Sequence, residues 1–124
     1  MTDAPRDPGL VALLDLDGQI LVIDPVGPHW VSFRVTQVPP TTERPHGIDY
    51  ALTLHGPDGE RLVGFDNAHP LRPTSGPSGR RRARRDHMHR LRSVRPYDYA
   101  DAAGLLADFW AEVDAVLKER GVKT

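Results

Sequence analysis

A chain of 124 residues with no cysteine has the length of one domain and excludes disulfides, thiolate metal centres and a cysteine nucleophile, so any metal would rest on His, Asp or Glu. Its net charge of −1 identifies no partner, yet Arg72 to Arg95 holds nine arginines against one aspartate, a local excess that attracts polyanions. The longest apolar run, Leu10 to Leu14, is far short of a membrane span, and residues 1–9 are acidic and carry prolines without a basic stretch; neither a membrane helix nor a signal peptide is expected, and the expected compartment is the cytoplasm.

In chain order, residues 1–9 read as a loose leader. Leu10 to Leu16 and Ile20 to Ile23 flank Asp17-Gly18. An Asp-Gly pair between apolar runs predicts a hairpin of two strands, closed by Pro25 to Pro28. Val31, Phe33 and Val35 alternate with Ser32, Arg34 and Thr36, the period of a half-buried third strand. Pro39 to Gly47 is a loop. Ile48, Tyr50, Leu52 and Leu54 predict a fourth strand, and Gly56-Pro57-Asp58-Gly59 a turn. Leu62, Val63 and Phe65 predict a fifth, ending at Asp66-Asn67. Short turns between consecutive strands make the sheet antiparallel.

Ala68 to Arg85 has three prolines, two glycines and a run of arginines. It is too polar to form a core and reads as a flexible insert over 68–85. Order returns at Asp86-His87-Met88-His89, a sixth strand reaching Val94, and Pro96 ends it. Ala102, Leu105, Leu106, Phe109, Val113, Val116 and Leu117 then fall at helical spacing. A helix over 98–120 follows, with Asp98 as N-cap, Asp101 in the first turn, Lys118 and Arg120 near the end and Gly121 as the stop. The expected fold is a single α+β domain: a mainly antiparallel sheet of five or six strands with one long C-terminal helix across a face. There is no internal repeat.

Asp86-His87-Met88-His89 is the first candidate for chemistry. On a strand, His87 and His89 point the same way, about 6.6 Å apart along the backbone. Two imidazoles can act as base and acid on a phosphodiester, deprotonating a ribose 2′-hydroxyl and protonating the leaving oxygen. The same spacing suits a metal ion, with Asp66, Asp86, His87 and His89 as ligands, and spacing does not choose between the two. The plain alternative is a pair of half-exposed strand histidines. Arg80, Arg81, Arg82, Arg84, Arg85, Arg90, Arg92 and Arg95 form the second candidate, because guanidinium groups fork onto phosphate oxygens as an RNA site requires. Their plain alternative is a solvated basic loop, or a dock for an acidic partner. Asp66 could orient an imidazole; equally, Asp66-Asn67 could simply close a strand. Tyr50 and Tyr97 read as core or rim residues able to stack on bases. Trp30 and Trp110 read as packing, and His29, His46, His55 and His69 receive no chemistry. No Walker loop, dinucleotide fingerprint, nucleophile elbow or HExxH is present.

The order of these features resembles one known family. Pro45-His46-Gly47-Ile48-Asp49-Tyr50 leads to Phe65-Asp66-Asn67, then Asp86-His87-Met88-His89, Pro96-Tyr97 and Leu105-Leu106-Ala107-Asp108-Phe109-Trp110. Together these resemble the TumE-type toxins of toxin–antitoxin pairs, over Pro45 to Leu117. Members of that family often carry Arg and Tyr before the Asp-Asn pair, where this chain has Gly64 and Phe65. They also use a short link where this chain has the arginine-rich insert. The resemblance implies an antitoxin encoded next door, often a helix-turn-helix protein. It supplies no reaction. The resemblance implies a toxin, and residue chemistry suggests that it acts on RNA as a metal-independent endoribonuclease: His87 and His89 share acid and base roles, Asp86 or Asp66 orients a ring, and Arg90 with its neighbours binds phosphate. The alternatives are a non-catalytic module that binds nucleic acid or protein through the arginine loop, and a metal-dependent phosphodiesterase. The leading reading requires imidazoles and guanidinium groups to meet on one side of the fold.

Overall fold

The computed structural model describes residues 7–24, 27–42, 46–67, 86–91 and 93–122. Six strands form one antiparallel sheet in chain order: β1 (Ile20–Asp24), β2 (His29–Gln37), β3 (Ile48–His55), β4 (Arg61–Asp66), β5 (Asp86–Arg90) and β6 (Ser93–Tyr97). Two helices, α1 (Leu10–Asp15) and α2 (Ala102–Glu119), complete an α+β domain. The insert 68–85, with Arg80, Arg81, Arg82, Arg84, Arg85 and His69, lies outside the described residues, as does Arg92.

Alternation sorts the sheet into two faces. Phe33 faces Leu52, Leu52 faces Phe65, and Phe65 faces Met88 across neighbouring strands. With Val31, Val35, Ile48, Tyr50, Leu54 and Val63 they make a buried face. Helix α2 covers it with Ala102, Leu105, Phe109, Val113, Val116 and Leu117. Phe109 meets Phe33 and Phe65 edge-on, at 5.8 and 6.1 Å between ring centroids, the arrangement that ring quadrupoles favour. Among the described residues, no helix is long and apolar enough to cross a membrane.

Four local expectations need correction. Leu10 to Leu16 is not a strand. Leu10–Asp15 is helical and buries Leu13 against the core, because a short apolar run of Leu and Ala serves helix as well as strand. Asp17-Gly18 is therefore not a hairpin turn; Asp17 Oδ1 accepts the Val35 amide at 2.8 Å and the Gly18 amide reaches Phe33 O at 2.8 Å. The stretch from Asp86 to Val94 is not one strand but the hairpin β5–β6, reversed at Leu91 (φ +55). Pro96 sits inside β6 opposite His87, which an edge strand tolerates because its outer amides need no partner in the sheet.

Third, Asp101 rather than Asp98 caps α2, its Oδ1 accepting the Gly104 amide at 2.6 Å. The helix ends as expected at Gly121. Its amide bonds Lys118 O, the Val122 amide bonds Leu117 O, and Gly121 takes φ +74, a Schellman closure. Fourth, the part of the leader that is described, residues 7–9, is bound and not loose. Asp7 Oδ1 accepts the Ala102 amide at 2.6 Å, and Asp7 Oδ2 accepts the Tyr99 hydroxyl.

Candidate functional site

Strand parity decides what the Asp-His-x-His segment presents. On β5, Asp86, Met88 and Arg90 face the helix side, and His87 and His89 face the opposite side, which neither α1 nor α2 covers. His87 lies directly across from Asp66, and His89 across from Gly64. On this open face Ser32, Thr53, Gly64 and His89 form one cross-strand row; Arg34, Ala51, Asp66 and His87 form the next.

One carboxylate serves both imidazoles. His89 Nε2 lies 3.2 Å from Asp66 Oδ2, and His87 Nδ1 lies 4.0 Å from Asp66 Oδ1. The ring centroids are 6.2 Å apart. The His87 side chain is 25% exposed, that of His89 18% and that of Asp66 16%. Because Nε2 of His89 faces a carboxylate, it carries the proton. Its Nδ1 is buried and finds no hydrogen-bond partner among the described residues. Burial pushes the His89 ring below the usual imidazole range; Asp66 opposes this, while Arg61 and His87 reinforce it.

Asp86 is not brought to the histidines. It is buried on the helix side, where the Tyr50 hydroxyl donates to Oδ2 at 2.7 Å. Burial raises the Asp86 carboxyl above the usual carboxylate range, against the Tyr50 bond and nearby His46. Burial and the adjacent Asp86 push the Tyr50 hydroxyl far above its own range, so it remains a donor. The four-residue metal set is thus split between two faces, and among the described residues no three His, Asp or Glu side chains gather as ligands would.

Arg90 is also on the helix side, tied to Glu112 at 3.5 Å and to Glu119. Arg95 faces Met88 on that same side. Asp66 and Asn67 have separate fates. Asn67 Oδ1 accepts the Tyr50 amide at 3.0 Å and its Nδ2 donates to Ile48 O at 2.8 Å, so it extends β4's grip on β3. Tyr97 packs edge-on against Phe65 at 4.9 Å and donates to Asp108 at 2.6 Å, a rim role. Trp110 packs against Phe33 and Phe109, whereas Trp30 stacks on His55 at 4.1 Å on the open face. His29 is buried; it bonds Gly27 O and Asp24 through Nδ1 and accepts Arg120 Nε at 3.2 Å, which joins the β1–β2 turn to the end of α2.

Sequence reasoning missed Arg61. On β4 it faces His55 of β3 and lies on the open face beside Gly64. A Cβ at Gly64 would meet Arg61 Cδ at 3.3 Å and Nε and Nη1 at 3.6 Å; the arginine chain lies flat over that glycine. The only hint in the sequence is the glycine itself, since Gly inside a strand often marks close approach of another group.

A family model described as toxin TumE matches residues 22–117 of the chain. No curated protein and no solved structure matches it.

Proposed function

The chain belongs to the toxin TumE family, and on that premise we propose that it is the toxin of a toxin–antitoxin pair, acting on RNA in the cytoplasm as a metal-independent endoribonuclease. Its partner is the cognate antitoxin, a protein of helix-turn-helix type. The observation that supports this reading best is one carboxylate, Asp66, lying beside two imidazoles on the face of the sheet that neither helix covers.

The two rings are not equivalent. His89 uses Nε2 on Asp66 and buries Nδ1, so His87 is the ring with a nitrogen left for substrate. In this reading the unprotonated His87 takes the proton of a ribose 2′-hydroxyl through Nε2. The 2′ oxygen attacks the adjacent phosphorus and the bond to the 5′ oxygen breaks. That leaving oxygen takes a proton from water, and the His87 imidazolium returns its own to the solvent. The products are a 2′,3′-cyclic phosphate and a 5′-hydroxyl end. Asp66, 4.0 Å from Nδ1, offsets the positive charge that builds on the ring. His89 is a positioning residue that fixes Asp66.

The test is expression of the chain alone in a host, with growth scored and RNA ends sequenced. Wild type arrests growth and leaves cyclic-phosphate ends. His87→Ala abolishes both while the protein stays folded, and His89→Ala slows cleavage without ending it. Growth arrest by the His87→Ala/His89→Ala double variant refutes the assignment.

A further inference from the structure

We propose that Arg61 is an anion-binding residue of the open face, seating a phosphate of a single-stranded nucleic acid beside His89 and Asp66. The proposal deepens the RNA-directed reading above and rests on it.

Three observations carry it. First, the β3–β4 pairing is irregular: consecutive Leu54 and His55 of β3 face Val63 and Arg61 of β4, so Leu62 is an extra residue on β4. In a regular strand Arg61, three positions before Gly64, would lie on the face opposite to it. The bulge removes one step of alternation and returns Arg61 to the face of Gly64, Asp66 and His89, while Leu62 itself is buried in the core. Re-aiming a side chain is what such bulges do beside functional sites.

Second, Gly64 leaves the space that the arginine fills. With Arg61 Cδ, Nε and Nη1 within 3.6 Å of where a Cβ would stand, the side chain reaches along β4 toward the row of His89. Its field is felt there, since Arg61 is one of the groups that disfavour protonation of His89.

Third, the charge of Arg61 is unspent. Arg61 is exposed and makes no ion pair among the described residues. Asp66, in the row beyond Gly64, is engaged by His89. Arg90, by contrast, is neutralised by Glu112 and Glu119 on the other face. An exposed guanidinium laid over bare backbone presents its forked donors to an incoming phosphate.

The experiment measures binding of a short single-stranded 2′-deoxy oligonucleotide, which lacks the nucleophile and cannot be cut. Affinity is read across a salt series for wild type, Arg61→Ala and the double variant Arg61→Ala/Gly64→Arg. One lost phosphate contact lowers the slope of log K against log salt by about 0.7 and weakens binding on the order of tenfold. A guanidinium rooted at position 64 occupies the same space, so the double variant regains the slope. Arg61→Ala binding with wild-type affinity and slope overturns the proposal and leaves the proton-transfer reading intact. Absence of binding by wild type overturns both. Arg61 is exposed, so the single variant keeps its fold and decides the matter even where Gly64→Arg perturbs β4.

Discussion

Asp66 and Asn67 are neighbours in sequence and should fail in opposite ways when changed to alanine. Asn67→Ala removes a side chain that satisfies two buried backbone groups, the Tyr50 amide and the Ile48 carbonyl. Leaving each without a partner costs about 1–2 kcal/mol, so the loss is about 2–4 kcal/mol. For a domain of this length that lowers the midpoint of thermal unfolding by about 8–15 °C. The open face is untouched, so at a temperature where the variant is folded it should cleave RNA within a few-fold of wild type. Asp66→Ala removes one hydrogen bond on a partly exposed face, worth about 0.5–1.5 kcal/mol, and the midpoint moves little. Its activity should fall by about 10²–10⁴, the range for a group on which general acid–base work depends. Scanning calorimetry and primer-extension mapping of cut ends, run on both variants, read the two effects separately. An Asp66→Ala protein that cuts at the wild-type rate, or an Asn67→Ala protein that melts with wild type, refutes the division of roles.

Asp86→Asn should keep its toxicity and gain stability as pH rises. Asn still accepts the Tyr50 hydroxyl, and the raised carboxyl means that releasing its proton opposes folding. The gain vanishes at acid pH, where both side chains are neutral; a folded but inactive Asp86→Asn would place Asp86 back in the site. The shift of His89 has the opposite sign. The folded state resists protonating this ring, which faces Asp66, Arg61 and His87. Between the ordinary imidazole value of about 6.5 and the lower folded value, the unfolded chain binds more protons, so stability falls as pH drops through that window. Urea midpoints followed across that window should slope less in His89→Gln than in wild type, and equal slopes would refute the assignment of the shift.

The alternating segments were the legible part of this chain. Val31–Phe33–Val35 and Ile48–Tyr50–Leu52–Leu54 announce a sheet with one buried face, and the stripe from Ala102 to Leu117 announces the helix that covers it. Leu10–Asp15 was not legible, because a short apolar run lacks the length over which helix and strand periods diverge. The β5–β6 hairpin was hidden for another reason: its reversal uses Leu91 at positive φ, where turn chemistry normally announces itself with Gly or Asn. In the site, the histidine pair could be read directly. The neighbours were misjudged by nearness in sequence: Asp86 and Arg90 belong with Met88, an odd number of positions from either ring, and a strand sends such residues to the other side.

Parity also explains how one segment serves two demands. Even-numbered residues of β5 build the interior: Met88 packs in the core, Asp86 holds Tyr50, and Arg90 is tied to α2. The odd-numbered histidines are left to the face that neither helix covers. A change that disturbs one set need not disturb the other, because the sheet itself separates them. The exception is β4, where alternation alone would have sent Arg61 inward. A single inserted residue, Leu62, fills the core and turns the arginine outward. The step that joins packing to charge on this face is therefore a backbone irregularity, and no residue-by-residue reading of Glu60-Arg61-Leu62-Val63 carries it. What the sequence does carry is its consequence one turn of the pattern later, a glycine in the middle of a buried strand, where an arginine chain needs room to lie.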